Sequence, residues 1–283
     1  MNGETPKLIK SFKKMKHINI VSIDAQLSQK VPVGKMLPSL YNRARGLSSP
    51  HLLATLKEGQ NFKMRHLRKF RSLKNLQIST GNIDEETLHD YDFRVMRTLN
   101  SSLLSLRNLQ TLYIAESFPE FHQEFLEMIT YQISRKPNLK KLGFYVLQTS
   151  SSYPETFNKF LGAIQNLEHL EDFQLCTNGS DMDATNMRQF CHSVSTLPHL
   201  KSSRLMILDP TITNDFVELN RIPNLNLDLL LKLSNCDLKN VQVLTQIRNQ
   251  IMIRLDDVEE QELSNFNSIN TLFKTLVQIP NLA

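Results

Sequence analysis

Tryptophan is absent, glycine supplies only 8 of 283 residues, and cysteine only 3. With glycine so scarce there is no G-x-G-x-x-G, no G-x-x-x-x-G-K-S/T and no G-x-S-x-G, so neither a phosphate-cradling loop nor a nucleophile elbow is encoded. Cys176, Cys191 and Cys236 are odd in number and widely spaced, with no Cys-x-x-Cys pair. That pattern signals neither a zinc site nor a disulfide framework. Free thiols fit a reducing compartment, so the chain is expected to be intracellular and cytoplasmic. No run of about 18 apolar residues exists, so no membrane-spanning helix is expected. The first twenty residues carry Lys7, Lys10, Lys13, Lys14 and Lys16 around no continuous apolar stretch, so they do not read as a secretory signal. The sequons at Asn100 and Asn178 then read as chance matches.

Catalytic constellations are missing as well. The eight histidines are scattered and no H-E-x-x-H occurs. His169 and His199 occupy the same slot of two successive phrases described below, which points to packing at a corner. Cys191 and His192 are adjacent on an expected helix, where neighbours do not face each other. Glu85-Glu86 and Glu259-Glu260 suit helix starts, where carboxylates meet the positive end of the dipole. No metal, cofactor, small-molecule substrate or catalytic activity is expected.

The net charge of +5 is unevenly placed. Residues 1–75 hold sixteen Lys and Arg against Glu4, Asp24 and Glu58, a net of +13; the remainder holds seventeen against twenty-five acids, a net of −8. The densest basic stretch contains Lys63, Arg65, Arg68, Lys69 and Arg71. It reads either as an electrostatic footprint for RNA or an acidic protein surface or as the solvated face of a helix whose apolar side is Met64, Leu67 and Phe70. No aromatic residues interleave there to stack bases.

What the chain has in abundance is a repeated phrase. Leu73-Lys-Asn-Leu-Gln-Ile returns as Leu109-Gln-Thr-Leu-Tyr-Ile, Leu139-Lys-Lys-Leu-Gly-Phe, Leu170-Glu-Asp-Phe-Gln-Leu and, more weakly, Leu200-Lys-Ser-Ser-Arg-Leu. An early copy is read at Ile18-Asn-Ile-Val-Ser-Ile, and Leu225 is read as the first residue of a later one. The lead-in repeats too, as in Lys136-Pro-Asn-Leu, Leu197-Pro-His-Leu and Ile222-Pro-Asn-Leu. Residues four to six of each hexad alternate as a short strand, the leading Leu packs where the chain turns into it, and the lead-in proline is expected to stop the preceding helix. Between hexads, Asp84–Leu104, Pro119–Ile133, Pro154–Ile164 and Asp183–Val194 carry apolar residues at spacings of three and four, one stripe per helix. Asp84, Pro154-Glu155 and Ser180-Asp181 read as first-turn residues.

This alternation resembles the leucine-rich repeat family in its longer, helix-bearing, ribonuclease-inhibitor-like style. The resemblance is strongest over residues 73–207. It implies an α/β fold: one curved solenoid or horseshoe over 1–283, with parallel strands on the concave side and helices on the convex side. Family repeats often carry Asn or Cys at the ninth position, and here only Asn178 does.

Outside 73–207 the pattern is looser. Residues 25–72 form an irregular basic segment broken by Pro32, Gly34, Pro38, Gly46 and Pro50, in which a degenerate repeat or an inserted loop could lie. There Leu52, Leu53 and Leu56 suggest a short helix and residues 62–71 another. Residues 208–283 read as degenerate repeats. Leu225 to Leu233 alternates as a strand, Leu238–Ile247 is a short helix, Ile251, Ile253 and Leu255 form a second strand, and Glu259–Val277 is a last helix. Ile279-Pro-Asn-Leu then repeats the lead-in with no strand after it. With no polar cap evident at either end, the chain is expected to be part of a longer array or to have its ends covered.

The outward strand positions predict the binding surface: Gln77, Ser79, Tyr113, Lys141, Tyr145, Asp172, Gln174 and Arg204, with Gly143, Cys176 and Met206 among them. Tyrosines among polar residues suit a protein-binding surface. The expected function is a non-catalytic scaffold for protein–protein interaction through the concave face. Alternatives are RNA or ribonucleoprotein binding through the basic segment, or a regulatory repeat region of a larger enzyme such as a kinase or a ubiquitin-ligase adaptor. The fold by itself does not choose among them.

Overall fold

The structure, a computed structural model, describes residues 22–26, 51–56, 73–80, 100–116, 122–146, 154–232, 238–256 and 274–282. The chain divides into two compact units, Met1–Ser117 and Phe118–Ala283. The first holds strands β1 (Ser22–Gln26), β2 (His51–Leu56), β3 (Asn75–Thr80) and β4 (Thr111–Glu116). Each is hydrogen-bonded in parallel to the next.

Two expectations are corrected in this unit. Leu52, Leu53 and Leu56 lie in strand β2, not in a helix. Its Leu52 and Ala54 are Cα partners of Leu76 and Ile78, which makes residues 49–54 a degenerate hexad. Pairing on both sides outweighs the weak helical spacing of three leucines. Ile23 and Ala25 in turn are Cα partners of Leu52 and Ala54. The first hexad therefore starts at Ile20 instead of Ile18, a two-residue shift that preserves the alternation of faces.

The corner has a fixed hydrogen-bonding pattern. Residues 100–105 are the helical end of the expected Asp84–Leu104 segment. Leu106 N–H then donates to Leu103 O (3.1 Å), and Leu109 N–H to Leu106 O (3.4 Å). Gln110 and Thr111 N–H both donate to Lys74 O, at 2.8 and 2.9 Å. Leu73, Leu76, Ile78, Leu103, Leu106, Leu109, Leu112 and Ile114 are all buried, so the leucines of the phrase are its core.

The second unit repeats the pattern. It contains β5 (Lys141–Val146), β6 (Asp172–Asn178), β7 (Ser202–Leu208), β8 (Leu225–Lys232) and β9 (Gln250–Asp256), again parallel and adjacent in chain order. Helices α1 (His122–Ile133), α2 (Pro154–Ile164) and α3 (Ala184–Ser195) precede β5, β6 and β7. Consecutive helices pack on one another. Their apolar stripes meet the strands through phenylalanines. Phe144 of β5 lies 6.1 Å from Phe125 of α1 and 4.9 Å from Phe160 of α2, and Phe173 of β6 lies 6.2 Å from Phe190 of α3. Each such buried ring contributes about 1.5–3 kcal/mol.

The lead-in proline does not stop the helix. α1 ends at Ile133 and α3 at Ser195, before Pro137 and Pro198 are reached. Lys136 N–H bonds Ile133 O, then Leu139 N–H bonds Lys136 O, each at 3.0 Å. Pro137 thus takes the second position of a tight turn, which its fixed φ favours. In α3 the N-cap is Asp183, whose carboxylate accepts from Asn186 N–H at 2.7 Å. Ser180 and Asp181 belong to a preceding 3-10 turn, Gly179–Asp181.

After β7 the repeats shorten. Leu225 is the Cα partner of Ser203, so it is the fourth residue of its hexad and not the first. This three-residue correction exchanges the two faces of the strand: Leu225, Leu227, Leu229 and Leu231 are inward, and Asp228 is outward. The crossovers here are 3-10 helices, Asn214–Arg221 and Gln242–Gln246. At about 2.0 Å per residue, eight 3-10 residues span about the length of eleven α-helical ones. A shorter repeat can therefore cross the same distance. The expected helix over Leu238–Ile247 is one α turn, Leu238–Val241, followed by 3-10.

The chain also continues into the sheet at its last lead-in. Ile251 N–H donates to Asn281 O (3.0 Å) and Leu282 forms a parallel bridge with Ile251. Residues 274–276 are helical. The rest of the Glu259–Val277 helix, and the helix expected at 62–71, lie outside the described residues.

Candidate binding face

In the second unit, positions three, five, seven and nine of the hexad numbering, where described, face away from the helix layer. This gives rows across the sheet. Lys141, Asp172 and Ser202 form one row; Gly143, Gln174, Arg204, Asn226 and Gln250 the next; Tyr145, Cys176, Met206, Asp228 and Met252 the third. Three of the residues expected from the sequence connect here. Tyr145 Oη donates to Gln174 Oε1 across the β5–β6 pair. Gln174 Nε2 makes long contacts of 3.4 and 3.5 Å to the Asp172 carboxylate. Burial raises the Tyr145 phenol above its ordinary pKa; Arg204 opposes that rise, while Cys176 and Asp172 reinforce it. Lys141 is exposed at the margin of the same face.

The strongest polar arrangement lies one step further along. Asp228 is only 3% exposed. Its Oδ2 accepts from Arg204 Nη2 of β7 at 2.8 Å and from Arg254 Nη2 of β9 at 2.6 Å. The three residues run diagonally over three strands, at positions five, seven and nine. Their side chains differ sharply in exposure: 4% for Asp228, against 43% and 50% for the arginines. One buried carboxylate therefore holds two guanidiniums that remain open to solvent. Sequence reasoning missed Asp228 and Arg254. Placing Leu225 at the fourth hexad position would have found Asp228, which then falls on the outward face; Arg254 alternates with Ile253 and Leu255 on β9.

Two outward positions are not surface. Cys176 is buried (0% exposed) between its Cα partners Tyr145 and Met206. Gly143 is buried as well. A residue without a side chain, and a small one between large neighbours, are covered by the rows beside them. Burial raises the Cys176 thiol to about 11 and the Cys191 thiol to about 12, so both stay protonated and are poor nucleophiles.

In the first unit Gln77 is exposed and its Cα partner Tyr113 half-buried, with Ser79 opposite Ala115 one row on. At the strand starts of the second unit, Glu171 binds Lys140 (3.1 Å) and Lys201 (2.7 Å). Those bonds, Lys201 first, hold its carboxyl at about 2. His169 and His199 stack at 6.2 Å between ring centroids and 18° between planes, both exposed, so they pair at the surface instead of packing inside the corner. Lys63, Arg65, Arg68, Lys69 and Arg71 lie outside the described residues. Among the described residues no three His, Cys, Asp or Glu side chains gather in a metal-binding arrangement, and no helix is long and apolar enough to cross a membrane.

No protein-family model matches this chain, and no curated protein matches its sequence. Among solved structures, the crystal structure of a TLR13–ssRNA13 complex is similar at 16% identity with a TM-score of 0.21, over 81% of this chain. The chain spans 38% of the length of that one.

Proposed function

We infer that the chain is a non-catalytic scaffold: a leucine-rich-repeat solenoid, curved as a horseshoe with its parallel strands on the concave side, that binds another protein through the strand face. The curvature follows from size, because strands stack about 4.8 Å apart whereas packed helices need 8–10 Å. The observation that carries the reading is the order of the outward polar residues. A merely solvated sheet face would hold its long side chains free, at an entropic advantage of up to about 2 kcal/mol each. Here Tyr145, Gln174, Arg204 and Arg254 are held by partners on neighbouring strands. Preordered side chains lose less entropy on association.

The test compares two surfaces of one molecule. Full-length protein with Tyr145→Ala and Gln174→Ala is matched against protein with Arg188→Ala and His192→Ala on the exposed side of α3, after thermal unfolding confirms both are folded. Binding partners recovered by the unaltered chain are quantified by mass spectrometry. Loss with the strand-face pair alone supports the reading. Unchanged recovery with that pair, or loss with the helix-face pair alone, refutes it.

A further inference from the structure

We propose that Arg204 and Arg254 form a seat for a carboxylate side chain of an acidic segment in the protein partner, with Asp228 as the residue that positions them. The inference rests on the scaffold reading and narrows it to one kind of ligand chemistry. Each guanidinium carries five N–H donors in a planar fork. Asp228 Oδ2 takes one donor from each, at 2.8 and 2.6 Å. The arginine side chains are 43% and 50% exposed, whereas that of Asp228 is 4% exposed. Two positive groups stand over one negative group, so the cluster carries a surplus of one positive charge at the surface. A carboxylate approaching from solvent meets two forks converged on one point and completes the neutralisation. Guanidinium–carboxylate pairs of this kind are directional and strong.

The surroundings favour a protein carboxylate over a nucleic-acid backbone. A polynucleotide is held by neutralising many phosphates in a row. Here Asp172 lies two strands from Asp228 on the same face, and Met206 and Met252 are the Cα partners on either side of Asp228. Met252 is 38% exposed. A single excess charge flanked by flexible thioethers suits one acidic side chain followed by an apolar one, since methionine adapts to varied shapes.

Asp228 also explains why the arginines converge instead of repelling each other. It is a positioning residue: it would not touch the ligand, and its burial fixes where the two forks point.

The test titrates an acetylated tetraglutamate peptide into the full chain and follows the arginine Nε–Hε signals by NMR, with tetraglutamine and an oligouridine RNA as parallel probes. Assignment comes from Arg204→Lys and Arg254→Lys. The proposal expects the Arg204 and Arg254 signals to shift with tetraglutamate and not with tetraglutamine. It expects affinity to fall about tenfold in the Arg204→Gln, Arg254→Gln double variant, with thermal unfolding confirming a folded protein. Shifts confined to other residues, an unchanged affinity in the double variant, or tighter binding of RNA than of peptide at these two signals would overturn it. If partner recovery still depends on Tyr145 and Gln174 while these signals stay still, the carboxylate seat fails and the scaffold reading stands. If neither surface matters, both fail.

Discussion

Lys136 occupies the corner position that Leu167 fills one repeat later. Each receives the turn in the same way: Leu139 N–H bonds Lys136 O at 3.0 Å, and Leu170 N–H bonds Leu167 O at 2.9 Å. Each is buried, at 5% and 1% exposure. A cation therefore sits in a slot built for a leucine, and burial lowers its pKa from 10.5 to about 8. Because the folded pKa is below the unfolded one, the unfolded chain holds more protons between about pH 8 and 10.5, and this group makes stability rise with pH across that window. In Lys136→Met the titrating amine is gone, so the rise in stability between pH 8 and 10.5 that it contributes is expected to be absent, as measured by urea unfolding of both proteins at several pH values.

Ser203 presents the same conflict without charge. It stands at the fourth hexad position, where Leu142 and Phe173 stand in the two preceding repeats, and it is fully buried. Among the described residues its Oγ has no hydrogen-bond partner. Ser203→Ala removes an unsatisfied hydroxyl and is expected to raise stability by about 1 kcal/mol. Chemical denaturation is the measurement, and a loss of stability would show that the hydroxyl is satisfied.

Two glycines should respond in opposite directions to alanine. A Cβ on Gly179 would lie 2.2 Å from Asp209 O and 2.6 Å from Pro210 Cα, both backbone atoms of the following repeat. Gly179→Ala must displace that loop and is expected to cost about 1–3 kcal/mol. Gly162 lies inside α2, and its added Cβ would meet only Gln189 Nε2 at 3.7 Å. Gly162→Ala is expected to stabilise by about 0.5–1 kcal/mol through helix propensity. The pair, measured side by side by thermal unfolding, separates close backbone approach from conformational entropy.

The buried thiols predict a reactivity pattern. With Cys176 raised to about 11 and Cys191 to about 12, neither forms thiolate near pH 8. Ellman's reagent should leave both unmodified in the folded protein and modify them on unfolding in urea. Fast modification of Cys176 in native protein would mean that the row of Tyr145 and Met206 does not cover it.

The alternation of leucines was enough to define where strands form and which side of each is buried over residues 73–207. That information is local: a hexad carries its own period, and its leading Leu carries its own corner. Register between strands is not local. At Leu225 the lead-in and the strand merge, and only pairing with Ser203 shows that three residues of corner are gone. At Leu52 the residues alone do not separate a helix from a strand, and the hydrogen bonds to β1 and β3 do.

The candidate face divides along the same line. Tyr145, Gln174, Asp172 and Arg204 were legible because they follow regular hexads. Asp228 and Arg254 were not, since they follow the two shortened repeats, and their union depends on a diagonal across three strands that no single stretch of chain contains. Periodicity thus determined alternating strands and amphipathic helices with a polar strand face, whereas the parallel arrangement was implied by the family resemblance and is seen in the strand pairing. Tertiary structure alone decided that one carboxylate on that face is buried between two arginines, because only strand pairing brings positions 204, 228 and 254 within hydrogen-bonding reach.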